Sequence, residues 1–136
     1  MRVVLDSNVI IAAFAARGFC QALFEYCLES HEVFVCEGIL KEITAKLVHK
    51  IGVPTTLAAG VESYLRVSVE VVRPARVPPE TCRDKRDLIV LGTAVASGAE
   101  YIITGDMDLL SLRQYKNIKA VSPRTFWQIA RGKRSK

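Results

Sequence analysis

Apolar residues along this chain switch repeatedly between two periods. Short β-branched runs bounded by charged or turn residues fall at 3–5, 33–36, 67–72, 101–104 and 118–121, each with the length and composition of a strand. Between them apolar positions recur every three or four residues, the spacing that gathers them on one face of a helix. Helices are expected over 8–29 with a break near Arg17 and Gly18, over 37–51 ending at Gly52, and from Pro54 or Thr55 to Arg66. Others are expected over 84–97 with Gly98 as the terminal glycine, briefly after Asp106, and from Ser122-Pro123, a cap followed by a proline. The stretch 73–82, with Pro74, Pro78 and Pro79, reads as a loop. Strands separated by helices need crossover connections, and these lay helices on both faces of a parallel sheet. The pattern predicts an α/β fold, a three-layer α/β/α sandwich around a short parallel sheet of about five strands.

Composition narrows the class. At 136 residues the chain has the size of one domain, without repeats or low-complexity tracts. Its longest apolar run, 9–16, is far shorter than the roughly 20 residues that span a bilayer, and Met1-Arg2 leads into a strand instead of a secretory signal. A cytoplasmic chain without a membrane partner is expected. Cys20, Cys27, Cys36 and Cys82 lack CxxC spacing, which favours free thiols over disulfides or a zinc site. The net charge is +5, and every charged residue after Asp108 is basic. This suggests a main domain over 1–130 and a basic tail over 131–136, which is either a solvated terminus or a contact for a phosphate backbone.

The aspartates change the picture further. All five lie where a predicted strand ends or a predicted helix begins: Asp6, then Asp84 and Asp87, then Asp106 and Asp108. Asp6 and Asp106 follow apolar runs whose ends should emerge at the carboxyl edge of a parallel sheet, where such folds bind ligands. Converging carboxylates with an amide nearby, here Asn8, suit a hard cation such as Mg²⁺ or Mn²⁺. The plainer alternative makes Asp84 and Asp106 helix caps and Asp108 a first-turn acid favoured by the macrodipole. In the 37–51 helix, Leu40, Ile43, Leu47 and Ile51 mark the buried face, and Glu42 on its flank can either lean over the sheet edge or pair with Lys46 one turn on. His31 and His49 have no partner at ligand spacing.

Taken in order, these segments resemble the PIN-domain nucleases, and within them the toxin components of toxin–antitoxin pairs. Val3-Val4-Leu5-Asp6-Ser7-Asn8-Val9 is similar to the family's first motif, with Asp6 as its metal aspartate and Asn8 as the polar residue two later. Ile39-Leu40-Lys41-Glu42-Ile43 resembles the helix that supplies the second acid, at Glu42. Cys82-Arg83-Asp84-Lys85-Arg86-Asp87 resembles the third motif, in which Asp87 aligns best with the metal acid and Asp84 with an accompanying one. Thr104-Gly105-Asp106-Met107-Asp108 resembles the fourth, with Asp106 as the acid, Asp108 supporting it and Thr104 at the strand end.

The resemblance implies a PIN-like, Rossmann-like fold. It also implies a homodimeric endoribonuclease that uses Mg²⁺ or Mn²⁺ and is held inactive by a cognate antitoxin. Asp6, Glu42, Asp87 and Asp106 would hold the ions, Asp84 and Asp108 would assist, and Asn8 would orient a ligand or a metal-bound water. Hydrolysis of RNA would leave a 5′-phosphate and a 3′-hydroxyl. Two other classes use similar residues: a metal-dependent phosphotransfer domain of receiver or phosphatase type, and a non-catalytic RNA-binding module. The phosphatase would want a second aspartate where Asn8 stands.

Overall fold

Val3, Val4 and Leu5 are fully buried, as a strand covered by helices on both faces requires, and they form the centre of β1 (Arg2–Leu5). A computed structural model of the chain describes residues 1–134. After β1 come helices α1 (Ser7–Ala15) and α2 (Phe19–Ser30), broken at Gly18, then β2 (Glu32–Val35) and α3 (Glu37–Lys46). The chain then runs through α4 (Thr55–Ser68), β3 (Glu70–Val71), α5 (Lys85–Ser97), β4 (Tyr101–Ile103), α6 (Met107–Leu112), β5 (Gln114–Tyr115), β6 (Ile118–Val121) and α7 (Pro123–Arg134). Among the described residues no single helix is long and apolar enough to cross a membrane.

The sheet order is β3-β2-β1-β4-β6-β5, with every pairing parallel except β5 against β6. The chain travels outward from β1 through β2 to β3, then α5 carries it back to β4 on the other side of β1. Crossovers of one hand that travel in opposite directions place their helices on opposite faces. Accordingly α5 packs across β1, β2 and β4, whereas α1, α2, α3 and α4 pack on one another and α7 joins α2. The direction of travel reverses between β1 and β4, and at such a switch point the crevice opens at the carboxyl ends of the strands.

Three sequence expectations need correction. The 67–72 strand begins as helix: α4 runs to Ser68, Val69 N–H closes on the Leu65 carbonyl at 2.9 Å, and the strand itself is Glu70–Val71, with Val72 N–H adding one more bond to the Val35 carbonyl of β2 at 2.8 Å. Ala58 and Leu65, both buried, mark the helical face, and Val67 is on the exposed side at 85% accessibility, so its β-branching decides nothing. Among the described residues the sheet has six strands, and the additional one, β5, is an antiparallel hairpin with β6, turned by Lys116 at φ 56°. That turn lacks the Asn-Gly or Asp-Gly signal that makes hairpins readable. Finally, the helix expected over 37–51 loosens into a π turn at Leu47–Ile51 before Gly52, at φ 88°, ends it. The expected boundary at 130 falls inside α7, so the basic stretch begins as helix, and residues 135 and 136 lie outside the described residues.

Candidate metal centre

Because β1 and β4 are neighbours in register, with Leu5 opposite Ile103, the residues that follow them emerge side by side. The ladder continues one step further: Asp6 N–H donates to the Ile103 carbonyl and Thr104 N–H to that of Val121, both at 3.0 Å. Fully buried Thr104 then joins two of the predicted acids. Its hydroxyl donates to Asp6 Oδ2 at 2.7 Å and accepts from Asp106 N–H at 2.9 Å.

The capping alternative and the cluster coexist. Asp6 Oδ1 caps α1 through Ser7 N–H (2.7 Å), Asp84 caps α5 through Arg86 N–H (2.9 Å), and Asp106 Oδ1 caps α6 through Asp108 N–H (2.9 Å). A cap engages only one carboxylate oxygen, so the second is free for another partner. Asp87, in the first turn of α5, is 2% exposed, and its Oδ2 has no hydrogen-bond partner among the described residues. Asp87, Asp106 and Asp108 each offer an oxygen within 4.8 Å of the others. A cavity of about 230 Å³ lined by Thr81, Cys82, Arg83, Asp87 and Asp108 opens beside them.

Burial pushes the Asp87 carboxyl up to about 6, and the charges of Asp106, Asp84 and Asp6 push in the same direction. The same surroundings raise the Cys82 thiol, burial first and then Asp87, Asp108 and Asp84. An orphaned buried oxygen and mutually repelling carboxylates are both relieved by one hard cation, so the donor set fits Mg²⁺ or Mn²⁺.

Glu42 approaches from α3. Three donors converge on its Oε2: Ser7 Oγ at 2.8 Å, Lys46 Nζ at 2.8 Å and Arg86 Nη1 at 3.1 Å. Burial raises this carboxyl, but the hydrogen bonds from Lys46 and Ser7 and the charge of Arg86 together hold it below its ordinary value. The other end of the Arg86 guanidinium is 3.8 Å from Asp106 Oδ2, so one side chain spans the gap between Glu42 and the aspartates. Asn8 is exposed and accepts from Lys46 at 3.1 Å, on the Glu42 side of the edge. Asp84 is exposed and contributes its charge, and Asp108 is exposed and paired with Arg83 at 3.3 Å.

Of the predicted site residues, the structure brings Asp87, Asp106 and Asp108 together; Asp6 is tied to Asp106 through Thr104, Glu42 faces Asp106 across Arg86, and Asn8 and Asp84 lie exposed beside them. Three residues that sequence reasoning passed over also belong there: Ser7, buried between Asp6 and Asn8; Arg86, between Asp84 and Asp87; and Lys46, weighed only as a surface partner of Glu42. For the first two, adjacency to the acids was the available signal.

Comparison with known proteins agrees with this architecture. No curated protein matches the chain. Among solved structures, a chain of the VapBC2 complex from Rickettsia felis, crystallised with a DNA fragment from their promoter, superposes with a TM-score of 0.63 at 12% identity, covering 90% of this chain and 98% of that one. At that identity the likeness speaks for the fold. The family model described as PIN domain matches residues 2–108, from the first residue of β1 through the last of the clustered aspartates. With well over half its length so matched and the acids gathered where β1 and β4 end, the chain belongs to the PIN-domain family.

Proposed function

We propose that this protein is a metal-dependent endoribonuclease and the toxin component of a toxin–antitoxin pair, acting as a homodimer. The observation that carries the reading is Asp87: a carboxylate 2% exposed, one oxygen unpartnered, beside Asp106 and Asp108. Membership of a nuclease family favours this reading over the phosphotransfer one. The toxin–antitoxin part is supported by the likeness to the VapBC2 chain, which belongs to a complex. The RNA part is supported by the wholly basic charge after Asp108.

Asp6, Asp87, Asp106 and Glu42 would hold Mg²⁺ or Mn²⁺, directly or through water. A bound ion supplies an ionised water near neutrality and counter-charge for the phosphodiester. The chain's own residues prepare the place. Thr104 fixes the rotamer of Asp6 and the start of α6 with one hydroxyl. Ser7 holds Glu42, and Asp84 and Asp108 add negative charge at the rim. The reaction is hydrolysis of RNA by water, leaving a 5′-phosphate and a 3′-hydroxyl.

The test is cleavage of a mixed RNA pool with Mn²⁺. Asp87→Asn and Asp106→Asn should abolish it while remaining folded, and Asp84→Asn should retain most of it. Wild-type cleavage by both Asp87→Asn and Asp106→Asn would overturn the site. Equal losses in Asp84→Asn and Asp87→Asn would mean the ligand in this helix is misassigned.

A further inference from the structure

Two arginines on this protein pair with glutamates in different ways. Arg66 is locked: it grips Glu37 with two nitrogens at 2.8 and 2.7 Å and holds Glu62 through two further hydrogen bonds at 3.0 and 2.8 Å. Arg86 is held loosely, 3.1 Å from Glu42 and 3.8 Å from Asp106, and its side chain is 44% exposed. Fork-on-fork pairing is the mark of an arginine that serves structure. Arg86 instead makes one contact with each of two carboxylates on different elements, at an ordinary distance from Glu42 and a long one from Asp106, so its guanidinium is not fixed by a fork.

The position of Arg86 points the same way. Asp84 takes its backbone N–H, Asp87 beside it is buried, and its guanidinium stands between Glu42 and Asp106. We propose that Arg86 is a built-in counter-cation of the cleft, which competes with the divalent ion for Glu42 and Asp106 and so sets how tightly that ion binds. The proposal rests on the metal-site reading above. Carboxylates this close repel one another, and a monovalent guanidinium relieves part of that repulsion in the metal-free protein. An ion of twice the charge, held by the same oxygens, must displace it, so part of the ion's binding free energy goes into breaking the Arg86 ion pairs. Lys46 differs because it is anchored one turn from Glu42 on α3 and also holds Asn8, away from Asp106.

Calorimetric titration of Mn²⁺ into RNA-free protein tests this without reference to catalysis. Arg86→Gln should bind Mn²⁺ about threefold to tenfold more tightly than wild type, the scale of one unit charge removed from a partly solvated site. Arg86→Lys, which keeps the charge, should stay within about twofold of wild type by the same reasoning. Arg86 is half exposed, so neither variant threatens the fold. Unchanged or weaker binding in Arg86→Gln would overturn the counter-cation role, as would Arg86→Lys binding as tightly as Arg86→Gln. Asp87→Asn separates this proposal from the reading beneath it. If it binds Mn²⁺ as wild type does, the metal site fails whatever Arg86 does, and absence of binding in the wild type overturns both.

Discussion

The carboxyl of Asp87, raised from 3.8 to about 6 by burial and its acidic neighbours, holds its proton more tightly in the folded chain than in the unfolded one. Its contribution to stability is therefore fully present below the unfolded value and is lost as pH rises through about 6. In EDTA the wild type should lose urea stability relative to Asp87→Asn as pH rises from about 4 to about 7. A gap between the two proteins that stays constant over that range would show that Asp87 does not titrate as its burial requires. Saturating Mn²⁺ should reverse the trend, because an ion that binds only the folded, ionised site stabilises it by mass action.

Among the elements, α5 carries the most constraint, since its first turn presents Asp87 and Arg86 and its middle lies under the loop that follows β3. Gly92 makes that approach possible: Ala75 N–H donates to its carbonyl at 2.9 Å, and a Cβ there would be 2.4 Å from the Ala75 carbonyl oxygen. Gly92→Ala should cost about 1–3 kcal/mol, as overpacking against backbone does. Gly60, exposed on α4 with nothing within 4 Å of its would-be Cβ, supplies the opposite case. Gly60→Ala should stabilise by about 0.5–1 kcal/mol through helix propensity alone. Denaturation midpoints of both variants decide the matter: a neutral Gly92→Ala would mean that the loop moves off α5 at no cost.

Across the whole molecule, acids gather at one sheet edge while the chain beyond Asp108 carries only basic charge. A carboxylate-lined cleft repels a polyanion, and distant lysines and arginines can offset that repulsion during approach. Replacing Arg131, Lys133, Arg134 and Lys136 by glutamine should weaken RNA binding across sequences. It should also flatten the salt dependence by roughly one in slope for each phosphate that is no longer neutralised. Turnover at saturating RNA should persist, because none of the proposed ligands is in that segment. Affinities measured at several salt concentrations give the answer, and superimposable lines for the two proteins would exclude the segment from RNA binding.

Local chemistry is what the sequence determined by itself. The two periods gave the alternation of strands and helices, Gly52 and Gly98 marked helix ends that their positive φ values explain, and Asp84 and Asp106 were readable as caps. The ends of the apolar runs also put Asp6 and Asp106 at the carboxyl edge, since a parallel sheet leaves no other place for them. Tertiary structure decided the rest. Only the order β3-β2-β1-β4-β6-β5 makes β1 and β4 neighbours, bringing Asp6 to Thr104 across 98 positions of chain. Only the docking of α5 buries Asp87 while leaving Asp84 in solvent, because a periodic pattern fixes which residues share a face and not how deeply each sits against its neighbours. The short hairpin strand β5 and the span of Arg86 between Glu42 and Asp106 were unreadable for a related reason: both depend on partners whose positions the fold alone supplies.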